Sequence, residues 1–182
     1  RSDVDSPGAS WSRRALNDAV EIAAAFGAVP DIAGRDELVA RIQAQQDPET
    51  GLFVDPDLGP PAHPLRPSSR EWDMYGLLSC GYALEVLGAG PAHPVHVVED
   101  CTVAELADLL DGLDWDLLAW PSGSWIDGFA TAIHLNRRHH GSTNDHPLLW
   151  GWLATRNRPD SGMWGSRLEP TGDWDFRWLM AV

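Results

Sequence analysis

Lysine is missing from this chain: all 13 basic side chains are Arg. A Schiff-base lysine and a phosphate-binding P-loop lysine are thereby excluded. Cysteine is scarce. Cys80 and Cys101 stand alone, and two thiols make neither a disulfide framework nor a four-thiolate zinc site. No apolar run reaches the roughly 20 residues that cross a bilayer, and no signal peptide is visible, so the expected location is cytoplasmic with no membrane span. β-Branched residues are few and no short run alternates cleanly, which speaks against strands. Positive charge is in deficit, with 27 acidic residues against 13 basic and a formal net charge of −14. A nucleic-acid backbone or an anionic membrane surface is a poor partner for such a chain.

What is present is an ordinary globular composition, 43% hydrophobic and 22% charged over 182 residues. One helical domain over 1–182 is expected, with 1–9 flexible. The end at Phe176–Val182 reads as truncated, because it breaks off inside an apolar segment. Ten Trp residues are an unusual load, and indoles concentrate in cores and binding surfaces. Periodicity predicts a first helix over about 10–26, with Leu16, Val20 and Phe26 inward and Asn17 outward, and a second over about 35–46. The Pro-rich stretch from Pro48 to Pro67 cannot be helical. Residues 70–88 are apolar nearly all round, as in a helix surrounded by protein, and end at Gly88. Thr102 and Glu105 form a capping-box signature ahead of a one-sided helix. A second buried helix is expected to open at Ser124, and a short one to run from Leu148 to Leu153 after Asp145-His146-Pro147. One-sided and buried helices alternate from residue 35 onward, the pattern of a two-layer ring of helix hairpins.

An internal repeat supports the ring. Asp47-Pro48-Glu49-Thr50-Gly51-Leu52-Phe53 aligns with Arg158-Pro159-Asp160-Ser161-Gly162-Met163-Trp164, and upstream Ile42 and Gln46 align with Leu153 and Asn157. The second copy reads Trp152-Leu153, Asn157, Gly162 and Trp164 at the spacing of a QW repeat, with Asn157 where that motif has Gln. Over about 35–165 this resembles the α/α toroid of terpenoid cyclases and protein prenyltransferases. In that motif an amide bonds backbone groups at a helix end, Gly permits a turn, and an aromatic ring packs over the junction. The resemblance implies an all-α toroid, incomplete at this length. The protonating Asp-x-Asp-Asp motif has only partial counterparts, in Asp114-Trp115-Asp116 and Asp173-Trp174-Asp175. The Asp-Asp-rich metal motif is absent. The cofactor is left open, Mg2+ among the options.

Three expected buried-helix starts each carry Trp and Asp: Trp72-Asp73-Met74-Tyr75, Trp125-Ile126-Asp127 and Trp174-Asp175. Parallel inner helices would gather these groups at one rim of a central cavity. Asp73, Asp127 and Asp175 are then the candidate catalytic residues, and Trp72, Tyr75, Trp125, Trp174 and His134 the candidate substrate contacts. The plainer reading is that Asp in a first helical turn complements the macrodipole and Trp seals the helix end. An Asp at a helix N-terminus ionises easily and suits cation stabilisation or base catalysis; it suits acid catalysis only if burial raises its pKa. His134 is read as a hydrogen-bonded core residue, His93 and His96 as solvent-facing loop residues, and Cys80 as core. The spacing of His134, His139, His140 and His146 does not fit a metal site.

The expected function is a terpenoid-cyclase-like enzyme that cyclises, isomerises or eliminates on an apolar or partly apolar small molecule. A homo-oligomer is one expected assembly. A carbohydrate-active (α/α) barrel hydrolase or lyase is the second reading, and a non-enzymatic helical-repeat binding module the third. A closed apolar cavity marks the first, an open cleft with exposed rings and polar groups the second, and no cavity the third.

Overall fold

The structure is a computed structural model and describes residues 13–54, 65, 72–115, 118–159 and 162–164, with the backbone alone at residues 72 and 73. Seven helices stand among them: α1 (Arg13–Ala25), α2 (Arg35–Gln43), α3 (Trp72–Val86), α4 (His96–Glu99), α5 (Val103–Asp111), α6 (Ala119–His140) and α7 (Pro147–Arg156). No strand occurs among the described residues; one isolated antiparallel bridge joins Gln46 to Phe53. The described residues are all-α, in line with the expectation from the sequence.

Local chemistry sets several helix ends. The Thr102 hydroxyl accepts the Glu105 N–H at 3.2 Å, and Glu105 Oε2 accepts the Thr102 N–H at 2.9 Å, closing the capping box of α5. Pro147 opens α7, where its missing N–H costs nothing. The same reason corrects the start of α6. It begins at Ala119 rather than Ser124, with Pro121 in the first turn, where a backbone N–H would lack a partner anyway. Trp125 and Asp127 therefore lie beyond the first turn, outside the reach of its dipole. The helix α4 was read as loop, because four residues carry no periodic signal.

The helices α2, α5 and α7 bury one side each: Leu38 and Ile42, Leu106 and Leu110, Leu149, Trp152 and Leu153. The helices α3 and α6 supply the middle of the core and run parallel. Gly128 backs onto Met74, Gly81 onto Thr131 and Leu135, and Glu85 meets His134 and Arg138. A Cβ at Gly128 would collide with the Met74 carbonyl, so glycine permits this close approach. The helix α1 lies along α3 in the same direction, with Arg13 over Gly76 and Asn17 beside Ser79 and Cys80. Here the sequence reading needs two corrections. Asn17 is 0% exposed, and its Nδ2 donates to Ser79 Oγ at 3.1 Å and Cys80 Sγ at 3.2 Å. Phe26 is 84% exposed, because α1 ends at Ala25 and the chain turns away through Gly27.

The sequence repeat is also a backbone repeat. Asp47 N–H donates to Leu52 O and Gly51 N–H to Asp47 O, both at 2.8 Å. Arg158 N–H donates to Met163 O at 2.9 Å and Gly162 N–H to Arg158 O at 2.8 Å. Gly51 and Gly162 hold φ of 76° and 70°, a left-handed conformation that a side chain would strain. The Gln46 amide does what its position suggests: Nε2 donates to Gly51 O at 2.8 Å and His93 O at 2.7 Å, and Oε1 accepts His93 N–H at 2.9 Å. In the second copy the Trp164 indole N–H donates back to Leu153 O at 2.9 Å.

Candidate functional site

A groove of about 330 Å³ runs between α3 and α6. Leu78, Tyr82 and Glu85 line it from α3, and Asp127, Thr131 and His134 from α6. Each set is spaced by three or four residues, so each is one stripe of its helix. The α3 stripe corrects the expectation of a helix enclosed on all sides, since Tyr82 is 54% exposed. Its signal was present but slight: Tyr82 and Glu85 are polar-capable residues three apart in a mostly apolar run.

Asp127 sits at one end of the groove, half-buried. Among the described residues its carboxylate makes no hydrogen bond or ion pair. Burial alone acts on it and raises its pKa above the usual Asp range. This reverses the expectation of an easily ionised first-turn Asp, because the helix starts two turns earlier.

Glu85 sits at the other end. Its Oε1 lies 2.9 Å from His134 Nε2, 3.2 Å from His139 Nε2 and 3.1 Å from Arg138 Nε. Burial would raise its pKa, but the hydrogen bonds of His134 and His139 and the charges of His134 and Arg138 outweigh it and hold the carboxyl below the usual Glu range. His134 is thus not a core residue. Its side chain is 54% exposed and held by an acid.

The other expected site residues do not all meet in the groove. Trp125 is 3% exposed, stacks on Phe129 at 5.0 Å, and donates its indole N–H to Leu65 O at 2.7 Å. It is a core residue and does not line the groove. Tyr75 is half-buried, one turn before Leu78 on the same stripe of α3. Trp72 and Asp73 stand in the first turn of α3; their side chains, and Trp174 and Asp175, lie outside the described residues.

Cys80 and Cys101 are buried, and burial pushes both thiols up to about 11, which leaves them protonated and poor nucleophiles. His93 is exposed as expected, whereas His96 is half-buried at the start of α4. His146 is buried at φ 42°, with Nε2 2.8 Å from Val98 O and its ring edge-on to Phe129 at 5.2 Å, a packing role before α7. Among the described residues no group of three or more His, Cys, Asp or Glu is arranged to hold a metal ion.

No family model matches the chain, and no curated protein and no solved structure is significantly similar to it.

Proposed function

We propose that the α3–α6 groove is the reaction site of a terpenoid-cyclase-like enzyme acting on a partly apolar small molecule. The observation that carries this reading is Asp127: a carboxyl in a groove, raised by burial and without a partner among the described residues. A structural Asp would be paired or fully solvated. The parallel course of α1, α3 and α6, with one-sided helices between them in the chain, supports an arc of an α/α toroid with the groove on its inner side.

The chemistry follows from the direction of that shift. In its protonated form, which burial favours, Asp127 donates its proton to a substrate C=C bond; its O–H bond and the π bond break as a C–H bond forms. The adjacent carbon becomes cationic, and the new carboxylate stands against it as counter-charge. The exposed ring of Tyr82 adds a π face. Loss of a proton elsewhere on the substrate then gives an isomerised or cyclised product.

A cationic amphiphile mimics that intermediate. Dodecyltrimethylammonium, below its micelle concentration, is expected to bind saturably, more tightly at pH 7 than at pH 4, because the ion pairs with ionised Asp127. Asp127→Asn is expected to abolish the pH dependence. Equal binding to both proteins at both pH values would overturn the proposal. The open groove and exposed Tyr82 ring favour the carbohydrate-active barrel as the second reading, and saturable binding of maltotetraose in place of the ammonium probe would select it.

A further inference from the structure

Resting on the reaction-site reading above, we propose that Glu85 is the positioning residue of the groove: it fixes His134 with Nε2 as donor and leaves Nδ1 as the groove's proton acceptor. The geometry leaves little choice. Glu85 is surrounded by donors, with Arg138 Nε at 3.1 Å and His139 Nε2 at 3.2 Å on the oxygen that also meets His134. An ionised carboxylate accepts and cannot donate. A neutral imidazole 2.9 Å from it must therefore present Nε2–H, and its lone pair stands on Nδ1.

The two histidines differ in freedom, and that divides their work. A Cβ at Gly90 would collide with the His139 ring, so the loop after α3 packs that ring in place. The His139 side chain is 22% exposed, against 54% for His134. His139 and Arg138 thus anchor Glu85, and Glu85 presents His134 to the groove. The charged and titratable surroundings are mutually consistent. From α6 come His134, Arg138 and His139. His140 lies next along α6, with its pKa lowered by burial and by His139, His93 and His96 from the α3–α4 side. The nearest phenol along the α3 stripe is Tyr82, one turn before Glu85.

Asp127 and His134 are seven residues apart on α6, about 10 Å along its axis at 1.5 Å per residue. Donor and acceptor at opposite ends suit a reaction that adds a proton at one carbon and removes one at another. Asp127 loses a proton and His134 Nδ1 gains one, so the substrate keeps its composition and is isomerised. The exposed imidazole then returns its proton to solvent, and Asp127 takes one back from solvent, which restores both groups.

The test reads the resting protein, without ligand. Nitrogen-15 spectra of the histidine rings are expected to show His134 and His139 both protonated at Nε2, each with an observable, hydrogen-bonded Nε2 proton. In Glu85→Gln both protons are expected to exchange at least about tenfold faster, the equivalent of 1.4 kcal/mol of lost hydrogen bonding. In His139→Gln the His134 signal is expected to persist. A His134 ring protonated at Nδ1, or an Nε2 proton indifferent to Glu85→Gln in a protein of unchanged helix content, overturns the assignment. Asp127→Asn should leave these signals in place, so the Glu85 and Asp127 proposals fail separately.

Discussion

The Asn136 amide brackets Val95: its Oδ1 accepts the Val95 N–H at 2.7 Å while its Nδ2 donates to the Val95 carbonyl at 3.1 Å. Two positions earlier His93 is held the same way by Gln46. One loop is thus pinned from α6 and from the turn after α2. Asn136 and Val95 are both buried, so truncation would orphan a backbone donor and acceptor away from water. Asn136→Ala is expected to cost about 2–4 kcal/mol in denaturant unfolding. A change below about 0.5 kcal/mol would show that water reaches both groups.

Glycines in two helices should respond with opposite sign. Gly128→Ala drives a methyl into the Met74 carbonyl and Cβ between parallel helices, and a loss of about 2–3 kcal/mol is expected. Gly151 lies in α7 with open space around it, and Gly151→Ala is expected to gain about 0.5–1 kcal/mol. Thermal unfolding of the two variants measures both.

Asp127 should cost stability at neutral pH. Its folded pKa is raised, so the native state binds more protons than the unfolded chain, and stability falls as pH rises from the unfolded Asp value through the folded one. Asp127→Asn removes that penalty. The variant is expected to melt higher than wild type at pH 7, and the gap to close near pH 3, below both values. A gap of constant size would mean that burial is not what holds this carboxyl.

Glu85 should act in the opposite sense. Its folded pKa is lowered, so its contribution is fully present above the unfolded Glu value and is lost as pH falls through the folded one. Glu85→Gln is expected to be less stable than wild type at pH 7 and equal to it in strong acid. Carbon-13 titration of the Glu85 carboxyl offers a sharper check. Replacing both His134 and His139 by Ala removes the hydrogen bonds and leaves burial and Arg138, so the midpoint is expected to move up.

How legible the molecule was depends on the range of the forces involved. The capping box at Thr102 and Glu105, the Gly51 and Gly162 turns and the buried faces of α2, α5 and α7 rest on contacts within a few residues, and each was visible as spacing. The start of α6 was misplaced because Pro121 reads as a breaker unless the helix start is known. Asn17 and His134 were assigned to the wrong surroundings, since each is defined by residues on α3 and not by its neighbours along the chain.

The sequence alone determined that the chain is helical, acidic and without lysine chemistry, and that its turns repeat, because composition, periodicity and backbone strain are local properties. The tertiary structure decided which polar groups share the groove. Gly81 and Gly128 bring α3 and α6 together, and only that approach sets Glu85 against His134 and partly withdraws Asp127 from water. Burial and charge pairing are sums over neighbours distant in sequence, and no spacing rule contains them.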